Sequence, residues 1–89
     1  MQRRIVHFGG RVQGVGFRYT AHNMAIGYNV TGYVRNLPDG RVELVVEGQK
    51  QDIDELVENI KDRMQGFLSR VTDNDAPATG EFKGFVIRH

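Results

Sequence analysis

The amino-acid sequence predicts an α+β domain in which two helices cover one face of a four- to five-stranded antiparallel sheet. Several short segments alternate between apolar and polar residues, as half-buried strands do. Two segments between them instead carry apolar residues at helical spacing. The 89 residues suffice for one hydrophobic core, so residues 1–89 are expected to form a single domain.

The first half of the chain predicts a strand, a helix and a hairpin. Residues 4–12 alternate and predict the first strand. From Phe17 to Tyr28 the apolar spacing is helical. Segments 30–36 and 41–48 alternate again, and the Leu-Pro-Asp-Gly sequence between them is typical of a tight turn. These two segments are therefore expected to pair as an antiparallel hairpin.

The second half predicts a second helix and a closing strand. An apolar stripe over 53–67 predicts the helix, and Asp52 and Glu55 stand at the spacing of a capping box. Residues 69–75 are a polar candidate for an extra edge strand, and residues 82–89 read as the closing strand. The resulting order, β-α-β-β-α-β, is that of the ferredoxin-like sandwich.

Composition limits the classes of partner and chemistry. Twelve basic and eleven acidic residues give a net charge of +1, so no overall field attracts nucleic acid. The absence of cysteine excludes disulfides and thiolate chemistry, and no metal site is expected. No apolar run is long enough for a signal peptide or a membrane span. We therefore expect a soluble, cytoplasmic monomer without a nucleic-acid or membrane partner.

Two glycines and an arginine stand where the first strand gives way to the helix. The segment fails the P-loop pattern, because no lysine occurs between residues 1 and 49, and Tyr19 replaces the third glycine of a dinucleotide fingerprint. Gly14 and Gly16 nevertheless allow successive N–H groups to converge on an anion at a helix N-terminus. Arg18 adds a planar fork suited to phosphate oxygens. A purely structural turn with a solvated arginine is the alternative.

Asn36 is the second candidate, because it shares a strand face with Val30, Gly32 and Val34. An amide on such an apolar face needs partners. It could orient a water molecule beside the anion, since an amide both donates and accepts hydrogen bonds. The alternative is a strand-end residue that bonds to the following turn.

Two segments carry a family resemblance. GRVQGVGFR (10–18) resembles the phosphate loop of acylphosphatases, and GYVRN (32–36) resembles the second signature of that family. The resemblance implies hydrolysis of small acyl phosphates to a carboxylate and inorganic phosphate, with no metal and no cofactor. It also implies a clamping role for Arg18 on the phosphate and a water-holding role for Asn36. The implied phosphate cradle consists of Gln13, Gly14, Val15, Gly16, Phe17 and Arg18.

Two other functions stay open at this point. One is a non-catalytic module that grips a phosphate of a nucleotide or RNA, although the predicted sheet offers only Tyr33 as an aromatic platform. The other is a domain of a larger protein, as in the hydrogenase-maturation carbamoyltransferases. Among the histidines only His22, one helical turn after Arg18, is close enough in sequence to reach the site. We expect it to be a helix-surface residue, with the substrate phosphate itself accepting the proton from water.

Overall fold

The computed structural model describes residues Met1–His89 and contains two helices and a five-stranded sheet. In chain order the elements are β1 (Gln2–Gly10), α1 (Phe17–Ile26), β2 (Val30–Asn36), β3 (Val42–Gly48), α2 (Lys50–Arg63), a 3₁₀ turn (Gln65–Phe67), β4 (Leu68–Ala76) and β5 (Phe85–Arg88). The α+β class and the ferredoxin-like element order are confirmed. Neither helix is long and apolar enough to cross a membrane.

The sheet has the strand order β4-β1-β3-β2-β5. β1 pairs antiparallel with β3 and β4, and β2 pairs antiparallel with β3, which confirms the predicted hairpin. The polar segment that includes 69–75 forms the edge strand β4. β5 pairs parallel with β2, so the expectation of a fully antiparallel sheet is wrong at this edge. The chain crosses the sheet after β4, and β5 then runs antiparallel to β4. Because β4 itself runs antiparallel to β2, β5 has the same direction as β2, the strand with which it pairs.

The core fills the space between the sheet and the two helices. The end of β1 and the start of α1 both contribute to the core, since the rings of Phe8 in β1 and Phe17 in α1 lie 4.9 Å apart. The 15 residues of the core cluster are Val6, Phe8, Val12, Phe17, Ala21, Ala25, Val34, Val42, Leu44, Val46, Ile53, Leu56, Val57, Ile60 and Met64. The core residue Phe17 thus fixes the position of its neighbour Arg18 at the start of α1.

The ends of α2 differ from the prediction. The helix begins at Lys50 after Gln49, which makes no side-chain capping hydrogen bond, so the predicted capping box at Asp52 and Glu55 is wrong. Asp52 still lies in the first turn, where a carboxylate favours the helix dipole. The apolar stripe also ends earlier than predicted, because the 3₁₀ turn leaves Phe67 37% exposed.

β2 and β3 approach each other too closely for any side chain at Gly32. Its φ is 141°, and a Cβ atom there would lie 1.9 Å from the carbonyl oxygen of Val45. Only glycine therefore fits this position. The glycine that begins the second signature thus has a structural role: it allows the close pairing of β2 with β3, in which Asn36 lies opposite Val42.

Residues 77–84, the crossing segment, carry the chain from the β4 edge to the β5 edge over the face that the helices leave open. Glu47 of the central strand β3 fastens this segment. Its carboxylate accepts hydrogen bonds from the N–H groups of Thr79 and Gly80, both at 2.9 Å, and from Arg3 Nε at 2.7 Å. Glu47 is consequently only 1% exposed, although it lies on the face of the sheet that the helices do not cover. The segment connects β4 to β5 and thereby positions β5 beside β2. The end of β5 contacts the candidate site.

Glu47 is expected to make the stability of the fold depend on pH. Burial by itself raises the pKa of this carboxyl, but the N–H donors of Thr79 and Gly80 and the Arg3 guanidinium outweigh burial and lower the pKa to about 2. Because the folded-state pKa lies below the ordinary value, the stabilisation is complete above about pH 4.5 and is lost as the pH falls toward 2. Glu47→Gln should therefore lower the free energy of unfolding by about 2–3 kcal/mol at pH 7.

Urea denaturation at pH 7 and pH 2.5 measures this effect. The difference between Glu47→Gln and wild type should be smaller at pH 2.5, because the wild-type carboxyl is then partly protonated. Glu55→Gln is the matched control, since Glu55 is exposed and accepts only one long hydrogen bond, from Gln51 Nε2 at 3.4 Å. A difference that does not depend on pH would show that the Glu47 charge does not hold the crossing segment.

Candidate active site

The loop between β1 and α1 owes its shape to two glycines. Gly14 has a φ of 80° and Gly16 a φ of 78°, both in the left-handed region. A Cβ atom at either position would meet no atom within 4 Å, so the backbone conformation, not lack of space, favours glycine there. Gly16 is also the N-cap residue of α1, without a side-chain cap. The sequence pattern therefore corresponds to a real turn that opens directly into the helix.

This turn leaves a row of backbone donors unused. The first hydrogen bond of α1 runs from Thr20 N to Gly16 O at 3.0 Å, and the N–H groups of residues 14–19 donate to no acceptor in the chain. The first turn of α1 contains no acidic side chain that could occupy them. Free N–H groups at a helix N-terminus form a favourable site for an anion.

Gln13 lies in the same loop, but its side chain is directed elsewhere. Its Nε2 donates to the carbonyl oxygens of Leu37, at 2.9 Å, and Arg41, at 3.0 Å. The Gln13 amide therefore ties the loop to the β2–β3 turn. The sequence did not predict this role, because nothing local to Gln13 indicates which turn the fold brings beside it.

Arg18 carries a positive charge that no carboxylate in the chain neutralises. Its Nη1 lies 3.5 Å from the carbonyl oxygen of Arg88 and 3.3 Å from Nδ1 of His89. Both contacts are longer than an ordinary charge-assisted hydrogen bond. The guanidinium thus makes only weak contacts with the end of β5, and its remaining N–H donors are available to a ligand.

Asn36 ends β2 on the side of the sheet that faces the helices, as predicted. Its side chain makes no hydrogen bond within the chain. The turn that follows is closed without it, by the Gln13 amide and by a hydrogen bond from Leu37 N to Arg41 O at 2.8 Å. The interpretation of Asn36 as a residue that closes the turn is therefore wrong, and its amide is free to bind something else.

Arg18 and Asn36 meet in one small cavity of about 140 Å³. At about 30 Å³ for each water, this volume suits roughly four or five waters, or a single phosphate group. The lining residues are Val12, Gly14, Gly16, Phe17, Arg18, Tyr19 and Asn36. Of the predicted cradle, Gln13 and Val15 do not line the cavity. Tyr19, 67% exposed at its rim, was missed because an exposed aromatic on a helix carries no distinguishing sequence signal.

The three histidines occupy different surroundings. His22 lies half-buried on α1, with its ring centroid 6.2 Å from that of Phe85, and does not line the cavity. His7 is on the open face of the sheet, where its Nε2 is 2.9 Å from a Glu43 oxygen. Only His89 reaches a predicted site residue, through the contact with Arg18. His22 therefore lies outside the cavity, but its half-buried ring is nearer to β5 than the expected helix-surface position implies.

Comparison with known proteins identifies the family. The acylphosphatase family model matches residues 4–87. An acylphosphatase from Methylococcus capsulatus is 46% identical over 90 residues, covering 98% of this chain and 96% of its own, and one from Acaryochloris marina is 42% identical over 78 residues, covering 88% and 84%. The crystal structure of acylphosphatase from Bacillus subtilis has a TM-score of 0.89 at 29% identity and covers 100% of both chains.

A domain of a much larger protein is also similar. The crystal structure of HypF from T. kodakarensis has a TM-score of 0.84 at 32% identity; the match covers 100% of this chain and 12% of that one. The fold and cavity thus define a small α+β domain of the ferredoxin-like class. The chain belongs to the acylphosphatase family.

Proposed function

We propose that this protein hydrolyses the carboxyl–phosphate anhydride bond of small acyl phosphates, without a metal ion or cofactor. The observation that carries the proposal is the meeting of Arg18 and Asn36 at one phosphate-sized cavity. The other residues that line it include four whose backbone N–H groups are unused, namely Gly14, Gly16, Phe17 and Tyr19. Membership of the acylphosphatase family supports the same reaction. Within this proposal the protein acts as a cytoplasmic monomer.

The loop and Arg18 bind the phosphoryl group. The N–H groups of the loop and of the first turn of α1 supply donors for the phosphoryl oxygens, and Arg18 supplies the compensating positive charge. Preorganised donors of this kind stabilise the charge that develops on those oxygens during transfer. Gln13 contributes by holding the loop in place through Leu37 and Arg41.

Asn36 orients the attacking water. Its amide oxygen accepts a hydrogen bond from the water, whose oxygen then forms a bond to phosphorus while the bond from phosphorus to the acyl oxygen breaks. The electron pair of the broken bond leaves with the carboxylate, and the water proton passes to a phosphoryl oxygen of the substrate. A carboxylate is a stable leaving group near neutral pH, so no general acid is needed. Positioning and charge stabilisation supply the catalysis.

Hydrolysis of benzoyl phosphate in the presence of EDTA tests this function. We expect wild type to release benzoate and inorganic phosphate, and His22→Ala to remain active within about threefold, because His22 is outside the cavity. Loss of turnover on chelation would contradict the metal-free reaction. Loss of turnover in a folded His22→Ala variant would contradict proton transfer to the substrate.

A non-catalytic nucleotide- or RNA-binding module is the weaker alternative. Such a module needs exposed aromatic faces on the sheet. Tyr33 does not offer one, because its ring packs against Phe82 at 5.8 Å and the Arg88 guanidinium lies 3.9 Å from its centroid. Phosphate binding without turnover of any acyl phosphate would nevertheless favour this alternative.

A further inference from the structure

A second polar cavity lies on the open face of the sheet, and neither Arg18 nor Asn36 lines it. Its volume is about 300 Å³, roughly twice that of the candidate active site. It is lined by His7 and Gly9 of β1, Arg70 and Thr72 of β4, and Arg41, which directly precedes β3. No hydrophobic side chain and no carboxylate is among these residues. The cavity is therefore a polar, positively charged site that the proposed hydrolysis does not use.

The charges around this cavity leave its arginines available. Arg70 makes no ion pair and no hydrogen bond through its guanidinium. Arg41 pairs only with Asp39, at 2.8 Å, and both of these side chains are about half exposed, 45% and 54%. An exposed pair of this kind is weak, so a ligand can compete with Asp39 for the Arg41 guanidinium.

Another carboxylate, that of Glu43, contacts the cavity residue His7 but is already hydrogen-bonded to two further side chains. Glu43 accepts hydrogen bonds from Arg35 Nε at 2.8 Å and from the Tyr33 hydroxyl at 3.1 Å, besides its contact with His7. Burial raises the pKa of Glu43, but the contacts with His7, Arg35 and Tyr33 outweigh it and lower the pKa. Its negative charge is thus balanced by the Arg35 guanidinium, with which it forms an ion pair at 2.8 Å.

Gly9 gives the cavity its depth. The alternation of β1 directs the side chain of residue 9 to the open face, and glycine leaves that space empty. A Cβ atom at this position would lie 3.6 Å from Arg70 O and 3.8 Å from Arg70 Cβ, which are ordinary contacts. Alanine would therefore fit the backbone while filling part of the cavity.

We propose that this cavity binds a small molecule carrying two linked phosphate groups. Two guanidinium groups, Arg70 of β4 and Arg41 of the turn before β3, line one space, and each can bind one phosphate group through two parallel hydrogen bonds. The Thr72 hydroxyl and the His7 imidazole supply further polar contacts. The volume, enough for roughly ten waters at about 30 Å³ each, accommodates a diphosphate and exceeds the need of one phosphate.

The test is a titration with inorganic diphosphate at fixed ionic strength, followed by amide chemical shifts in the full-length protein. Binding at the new site should shift the amides of Gly9, Arg70 and Thr72, also in an Arg18→Ala background in which binding at the first cavity is weakened. Arg70→Ala should weaken this binding about tenfold, because it removes a charge-assisted bidentate contact. Gly9→Ala should weaken it as well, with no change in net charge.

Arg63→Ala is the matched control, since Arg63 is an exposed arginine of α2 that makes no ion pair and lies outside this cavity. It should change diphosphate affinity less than about twofold. Equal losses in Arg70→Ala and Arg63→Ala would show only a general charge effect and overturn the proposal. Shifts confined to residues 14–19 and Asn36 would also overturn it, since diphosphate would then bind only in the first cavity.

Discussion

Replacement of Arg18 by alanine is expected to lower kcat/KM for benzoyl phosphate by about 10³-fold or more. The guanidinium has no carboxylate partner, so the phosphoryl group is the anion that it is placed to neutralise. Its removal leaves the loop with neutral N–H donors alone. Steady-state kinetics with inorganic phosphate as a product inhibitor measures both effects, and the inhibition constant should rise together with the loss of turnover.

Two variants make this prediction specific. Arg18→Lys keeps the charge but loses the planar fork, so its activity should lie between those of wild type and Arg18→Ala. Arg11→Ala removes an exposed arginine before the same loop and should stay within about threefold of wild type. The Arg18 contacts are long, so its loss should change the free energy of unfolding by less than about 0.5 kcal/mol. An Arg18→Ala enzyme within tenfold of wild type would mean that Arg18 does not bind the reacting group.

Replacement of Asn36 by alanine should lower kcat by about 10²-fold or more, because the attacking water is then no longer held in line. Phosphate binding should change less than about threefold, since the donors to phosphate come from the loop and from Arg18. We therefore expect kcat to fall while phosphate affinity is nearly unchanged. A loss of folding would lower both quantities. Product-inhibition kinetics and phosphate titration measure the two quantities separately.

Two control variants accompany Asn36→Ala: one changes the charge at position 36, and the other removes an amide at a different position. Asn36→Asp retains an acceptor for water but adds a negative charge at the cavity, so it should weaken phosphate binding as well as turnover. Asn29→Ala changes an exposed amide just before β2 and should leave both quantities unchanged. If Asn36→Ala weakened phosphate binding as much as turnover, Asn36 would be a phosphate ligand and some other group would hold the water.

Local chemistry explains which features the sequence predicted. The bounds of β2 and the turn after it follow from alternation and from a Pro-Asp-Gly sequence within a few residues. The conformations of Gly14 and Gly16 are likewise local, because only glycine readily adopts a left-handed φ at both positions. The meeting of Arg18 and Asn36 could be expected because the strand that ends in Asn36 directly follows the helix that begins beside Arg18.

Long-range packing explains what the sequence did not predict. Alternation assigns Glu47 to the open face of β3 but contains no sign that residues 77–84 cover it. The contact between Arg18 and the end of β5 depends on a strand far away in sequence, as do the hydrogen bonds from Gln13 to Leu37 and Arg41. The early end of the α2 stripe has the same origin, because the 3₁₀ turn redirects the chain into β4.

The crossing segment also has a consequence for the order in which the chain folds. Its anchor combines Arg3 of β1 with Glu47 of β3, so the complete set of anchoring hydrogen bonds requires these two strands to be paired. β5 then pairs with β2, and only after this pairing does the Arg88 carbonyl oxygen contact the Arg18 guanidinium. Contacts between such distant parts of a chain form slowly. We therefore expect β5 to dock late in folding, and full catalytic activity during refolding to appear with that last step and not with the first compact states.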